Sequence, residues 1–369
     1  MAQRTQHNVS AVAQVNDDLG YPIVVTSDAK PAIRALLASQ GAPAIVLCDA
    51  HRAVQDIAAE LFGKKTRIVA FPLGESRKRL TTVERVLDAM LEAGVQRDDF
   101  VIGVGGGVAA DLFGFAAATY MRGVRYAQVA TTLLAMVDAA IGGKTGVDLR
   151  GGKNLAGTFR DPVGVVCPLY ALETLPPAQY KEGLAEIVKA AIIEGADLFE
   201  RLEELAAHPL RWWPWNDVIA EAIKVKTMAV ADDRLESGAR ATLNLGHTFA
   251  HAIERASHYK VSHGAAVSVG LRAAGLLALR TGRFSEAEHL RVLTLLALLG
   301  LPLQTALPAD DVLDAMRADK KKRSGRLRFV LPRAIGDVEY GVVCTERAVK
   351  AVLTQLHEPP EAQRLRARR

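Results

Sequence analysis

Five residues in the second half of this 369-residue chain stand at spacings suited to metal or proton chemistry. In EGLAEIVKAAI (182–192), Glu186 and Lys189 are three apart and share a helix face; in GARATLNLGHTFAHAIE (238–254), His247 and His251 are four apart and share another. HGAAV (263–267) opens on His263. The faces are otherwise apolar, so a polar group there is either a hydrogen-bonded part of the core or a working residue. Glu186, His247 and His263 make a two-histidine, one-carboxylate set that suits a catalytic Zn²⁺ with a position open to substrate oxygens. They lie 61 and 16 residues apart, which is no compact zinc motif, so buried histidines remain the competing reading on spacing alone. Lys189, Lys226, Arg240 and Asn244 interrupt apolar helical patterns in the same half and suit an acidic or polyhydroxy ligand; a surface salt bridge competes for each.

The first half carries glycine turns instead. In IGVGGGVAADLFGFAAATYMRG (102–123) a strand pattern runs into three glycines and then an Ala-rich helix, where backbone N–H groups can approach a phosphate. A tight strand-to-helix turn explains the same residues, and their spacing does not match a GxGxxG fingerprint. TTLLAMVDAAIGGKTGVD (131–148) and GGKN (151–154) follow, read as two further Gly-Lys loops at the same sheet edge.

These residues need a scaffold that brings them together. From Pro31 to Pro168, short apolar runs at 42–49, 67–72, 100–106 and 126–132 alternate with helical stretches such as TTVERVLDAMLEAG (81–94), which predicts a mostly parallel sheet of nucleotide-binding type. After Pro176 and Pro177 strand signals nearly vanish, and Ala/Leu/Glu-rich helices run to about residue 317, with a late hairpin from 327–332 and 338–343. The expected division is an α/β domain over 1–175, a helical domain over 176–358 and a basic, disordered tail over 359–369. Trp212, Trp213 and Trp215 around Pro214 read as packing at a helix start.

Net charge is +5, from 46 Lys and Arg against 41 Asp and Glu. The last nine residues hold four Arg and one Glu, and 319–328 holds six Lys and Arg, so the charge is local; aromatic residues at 5% argue against a nucleic-acid stacking surface. Cys48, Cys167 and Cys344 are distant from each other in apolar surroundings, as in reduced core thiols of a cytoplasmic protein. The uncharged run 292–309 is broken by Gly300, Pro302 and Pro308, so it predicts a buried helix and loop rather than a membrane span.

Taken in order, the glycine-turn helix, GGKTGVD, GGKN, GLAEIVK, LNLGHTFAHAIE, HGAAV and DKK followed by LRFVLP closely resemble 3-dehydroquinate synthase, from about Gly74 to Gly336. The resemblance implies an N-terminal Rossmann-like NAD-binding α/β domain, a mostly helical metal-binding domain and a homodimer. It also implies conversion of 3-deoxy-D-arabino-heptulosonate 7-phosphate to 3-dehydroquinate and phosphate. In that reaction NAD⁺ oxidises a ring alcohol, which acidifies the neighbouring C–H; phosphate is eliminated, the ketone is reduced again, and the opened ring closes by aldol addition.

By the same resemblance, Glu186, His247 and His263 hold one divalent metal, Zn or Co, and His251 relays a hydroxyl proton. Asp138, Lys144, Asn154, Lys189, Lys226, Arg240 and Asn244 line the substrate pocket, closed by Lys320, Lys321 or both, with Arg122 reaching the phosphate in its own or the partner subunit. NAD contacts fall on Gly74, Glu75 and Lys78, on Gly106, Gly107, Val108, Ala109, Ala110 and Asp111, on Thr131, Thr132, Lys144 and Lys153, and on Leu172, Glu173 and Thr174. The chain departs from the family pattern at Leu73, Phe113, Asp148 and Ala265, the last where HGE is common. Sister cyclases making 2-epi-5-epi-valiolone or 2-deoxy-scyllo-inosose, and a metal-dependent polyol dehydrogenase, are the alternatives. Retention of Lys226, Arg240 and the Lys320/Lys321 pair favours a substrate that bears a carboxylate.

Overall fold

The computed structural model describes residues 13–15, 19–236, 238–320 and 327–360. Lys321, most of the basic cluster and the residues 361–369 lie outside them, as does the side chain of Lys320. The chain forms two compact units, Met1–Leu175 with Trp215–Ala220, and Pro176–Pro214 with Glu221–Arg369.

The first unit is built on a seven-stranded sheet. Its strands are β1 (Ala13–Val15), β2 (Ile23–Thr26), β3 (Ile45–Asp49), β4 (Ile68–Phe71), β5 (Phe100–Gly105), β6 (Arg125–Ala130) and a last strand at Val165–Pro168. Between β6 and that last strand the chain makes a separate antiparallel hairpin, β7 (Lys144–Leu149) and β8 (Gly152–Phe159), so the last strand is β9. The sheet order is β1-β2-β9-β6-β5-β3-β4, with every pair parallel except β1 with β2.

Helices α1 (Ala29–Gln40), α2 (Arg52–Phe62), α3 (Leu80–Glu92) and α4 (Gly107–Thr119) make the crossovers that parallel pairing requires. Asp28 caps α1 by accepting the Lys30 N–H. Because both sheet faces are covered, the central strands are mostly apolar rather than alternating, with Gln128 of β6 a buried exception that donates to the Ala110 carbonyl. On β3, Ile45 and Leu47 join a core with Val83, Met90 and Leu112, while Val46 and Cys48 join a core on the opposite face with Ile33, Leu36 and Ala58.

The second unit is helical: α5 (Pro177–Glu194), α6 (Ala196–Leu205), α7 (Trp215–Asp232), α8 (His247–Ala256), α9 (His263–Arg280), α10 (Glu286–Leu298), α11 (Ala309–Lys320) and α12 (Glu346–Gln355). The first turn of α7 groups with the other unit. Strands β10 (Arg328–Ala334) and β11 (Asp337–Val343) form the hairpin expected from the sequence. Pro177 starts α5, where a missing N–H costs nothing, and Ser285 and Thr345 cap α10 and α12. No described helix is long and apolar enough to cross a membrane.

Three details differ from the sequence reading. The two Gly-Lys segments are the strands of the β7–β8 hairpin, outside the main sheet, rather than loops at its edge. Trp213 is buried, but Trp212 is exposed beneath the Arg211 guanidinium, 5.0 Å from its ring centre. Cys344 is only half-buried, whereas Cys48 and Cys167 are in the core.

Burial pushes the Cys48 and Cys167 thiols up to about 12, which leaves little thiolate at neutral pH. A disulfide-exchange reagent at pH 8 is expected to titrate no more than one thiol of the native protein, Cys344, with the other two appearing on denaturation. Rapid reaction of two or three native thiols would contradict the core placement.

Candidate active site

In the helical unit, Glu186 sits in the stretch of α5, Gly183 to Ile193, that is buried on every side. His247 and His263 are the first residues of α8 and α9. Their Nε2 atoms lie 3.5 Å and 3.0 Å from the same oxygen, Glu186 Oε1. The other oxygen, Oε2, is paired with Lys189 Nζ at 2.5 Å, one helical turn on. The ligating atoms of Glu186, His247 and His263 all lie within 4.8 Å of one another, a donor set and spacing that fit a divalent ion. A buried carboxylate is disfavoured in its charged form, yet the Lys189 ammonium and the two imidazoles hold Glu186 well below the usual range. Burial also opposes charge on His263, but its contacts with Glu186 and Glu254 push it up to about 10.

His251 stands edge-on to His247, ring centres 5.3 Å apart, on the exposed side of α8. Lys226 is buried on α7. Arg240 and Asn244 share the helical turn Ala239–Asn244, which packs on α5 and on the β10–β11 hairpin. Arg240 is 1% exposed and donates from Nη1 to the Arg234 carbonyl at 2.6 Å; Asn244 donates to Glu236 at 2.7 Å. Asp233 steadies this turn by accepting the Gly238 N–H at 2.6 Å.

Three carboxylates that sequence reasoning passed over belong to this environment. Glu236 orients Asn244. Glu254, 1% exposed on α8, has Oε1 at 3.6 Å from His263 Nδ1. Glu182 accepts the Ser262 hydroxyl at 2.5 Å and the Gly264 N–H at 2.6 Å. Periodicity marks two of them: Glu182 precedes Glu186 by one turn, and Glu254 follows His247 by two.

In the α/β unit the glycine turn ends β5 and starts α4. A Cβ on Gly106 would stand 2.8 Å from Thr132 Cγ2, so only glycine allows this close approach. The first N–H groups of α4, at Gly107, Val108 and Ala109, have no partner within their own helix and face outward from its N-terminus. Beside them, Thr131 Oγ1 is buried without a hydrogen-bond partner among the described residues. A glycine-lined turn, open amides and an orphaned hydroxyl fit the phosphate of a dinucleotide.

One step along α4, Lys78 Nζ pairs with the Asp111 carboxylate and donates to Asn154 Oδ1 at 2.5 Å. Asp148 accepts the Asn154 N–H at 2.8 Å and its own N–H binds the Lys78 carbonyl at 2.8 Å, which ties the β7–β8 hairpin to this cluster. Lys153 pairs with Glu75 at 2.7 Å, beside Gly74. Asp138 lies in a π-helical turn, Ala135–Ala139; Lys144 is exposed at the start of β7. In the turn Leu169–Thr174, Leu172 is buried while Glu173 and Thr174 are exposed.

Arg122 is not with them. It is exposed in a left-handed turn (φ 69°) past the C-terminal end of α4, about 20 Å from the glycine turn at 1.5 Å per residue. Two of the departures are core fillers: Phe113 packs edge-on to Phe71 with ring centres 5.9 Å apart, and Leu73 lies against the same cluster.

The chain matches the 3-dehydroquinate synthase N-terminal family model over residues 68–182 and the C-terminal model over 183–322. It is 41% identical to the 3-dehydroquinate synthase of Gloeobacter violaceus over 88% of this chain and 90% of that protein. Identity to the 3-dehydroquinate synthase of Acidithiobacillus ferrooxidans is 43%, over 79% and 80%. Among solved structures it is similar to the 2-epi-5-epi-valiolone synthase of Streptomyces hygroscopicus subsp. jinggangensis with NAD⁺ and Zn²⁺ bound, with a TM-score of 0.83, 32% identity and coverage of 95% and 99%.

Proposed function

The chain belongs to the 3-dehydroquinate synthase family and carries that activity in the shikimate pathway, and from this premise we propose how its residues divide the work. The observation that carries the reading is the convergence of Glu186, His247 and His263 on one point, with Lys189 closed on the carboxylate. A Zn²⁺ or Co²⁺ ion held by these three supplies positive charge for the substrate's vicinal oxygens, and NAD at the glycine turn supplies a reversible hydride acceptor.

The protein's own groups do the rest. Lys189 occupies Glu186 Oε2, which leaves Oε1 directed at the two imidazoles. His251, beside His247 and exposed, takes the hydroxyl proton outward. Arg240, Lys226 and Asn244 recognise the substrate carboxylate and its hydroxyls, with Lys320, Lys321 or both added to them. Asp138, Lys144 and Asn154 are the polar groups that the α/β unit offers to a hydroxylated substrate. Glu75, Lys78, Asp111, Lys153 and the Leu172–Thr174 turn join the glycine turn in binding NAD. Arg122, at the far end of α4, acts on the phosphate of a partner subunit in a homodimer. The enzyme works in the cytoplasm.

With NAD and Co²⁺ present, the protein is expected to release phosphate from 3-deoxy-D-arabino-heptulosonate 7-phosphate and none from sedoheptulose 7-phosphate, without steady growth of NADH absorbance. The reverse substrate preference would transfer the chain to the valiolone-type cyclases. Accumulating NADH would mark a dehydrogenase.

A further inference from the structure

We propose that Glu254 and Glu182 are positioning residues for His263, supplying from α8 and α5 the carboxylate support that Ala265 cannot. The inference rests on the metal site proposed above. A carboxylate buried to 1% exposure is costly unless charge or hydrogen bonds compensate it, and Glu254 directs Oε1 to within 3.6 Å of the His263 ring at Nδ1. That distance is long for a hydrogen bond and short for a charge acting on a ring N–H. With a proton held on Nδ1, the proton that Nε2 shares with Glu186 Oε1, 3.0 Å away, is the one a metal would displace, which would leave the Nε2 lone pair for the ion. Glu254 lies two turns beyond His247, so one face of α8 presents a donor and also supports the donor on α9.

Glu182 acts on the backbone. Its two oxygens accept the Ser262 hydroxyl and the Gly264 N–H, one on each side of His263, at 2.5 Å and 2.6 Å. The Gly264 amide is among those a helix leaves unsatisfied at its start, where a carboxylate is also favoured by the helix dipole. The clasp needs glycine at 264: a Cβ there would stand 2.4 Å from Glu182 Cα. Glu182 and Glu186 are one turn apart on α5, so the carboxylate ligand and the anchor of His263 ride on the same rigid helix.

The test is Co²⁺ affinity of the full chain, measured by chelator competition and read from the visible bands of bound Co²⁺. Glu254→Ala is expected to bind about 10–100-fold more weakly than wild type, with altered band intensities, while NAD affinity stays within about twofold. Glu254→Gln, which keeps the size and an acceptor but no charge, is expected to lose about tenfold, and it decides the matter should the Ala variant not fold. Wild-type affinity and spectrum in the variant that folds would overturn the inference and leave the metal site standing. Failure of wild type itself to take up Co²⁺ would overturn the metal site and the inference with it.

Discussion

His263→Ala is expected to leave the protein folded, able to bind NAD, and without metal or turnover. The substitution removes one of three donors, and a divalent ion held by Glu186 and His247 alone lacks the third protein ligand that catalytic sites use. The loss of affinity should exceed the about 10–100-fold that follows when a residue behind a ligand is changed. His263 is the cleanest of the three to remove because it is the most exposed, at 26% of its side chain against 2% for Glu186. Glu186→Ala would instead strand the buried Lys189 ammonium, at a cost of about 3–5 kcal/mol, and so mix instability with metal loss. Metal content after dialysis, the thermal midpoint and NAD affinity separate these effects. One equivalent of metal retained by His263→Ala would remove His263 from the ligand set.

Lys78→Met is expected to destabilise the α/β unit strongly. Lys78 and Asp111 are paired with only 6% and 19% of their side chains exposed, and the same ammonium holds Asn154. Removing the ammonium leaves Asp111 largely desolvated without its closest counter-charge, which costs about 3 kcal/mol. For a unit of this size each kcal/mol moves the midpoint by about 2–4 °C, so a drop of roughly 6–12 °C should appear in a melt of the full chain. Burial pulls the Lys78 ammonium down, but Asp111 more than restores it and leaves it above its ordinary value. The difference from wild type should therefore persist through neutral pH and, on the alkaline side, close as lysine deprotonates, above about pH 10. Lys78→Met combined with Asp111→Leu should recover most of the loss. A single variant as stable as wild type would show that the pair contributes nothing net.

The parts of the fold with a strong period were legible. Helix α3 and strands β3, β5 and β6 stand where alternation of patterns puts them, because a sheet covered on both faces favours mostly apolar runs. The β7–β8 hairpin was hidden because Gly146 and Gly157 face each other at its middle, which weakens the side-chain pattern and makes the glycines resemble loop residues.

At the site, Glu186 with Lys189 and His247 with His251 were readable from one-turn spacing. The meeting of α5, α8 and α9 was not, since no local pattern encodes a contact across 61 residues. Glu254 escaped notice because a glutamate near the end of a helix is ordinarily solvated; its burial is set by packing between α8 and α9. Asp148 carried a signal only as a departure, and its use in holding Asn154 emerges from the turn geometry.

The return of the chain to the first unit at Trp215–Ala220 bears on inheritance. A gene cut after the codon for Leu175 would separate the α/β half from six residues that fold with it. A single crossover at that codon would therefore leave six residues of one parent to fold with the α/β half of the other.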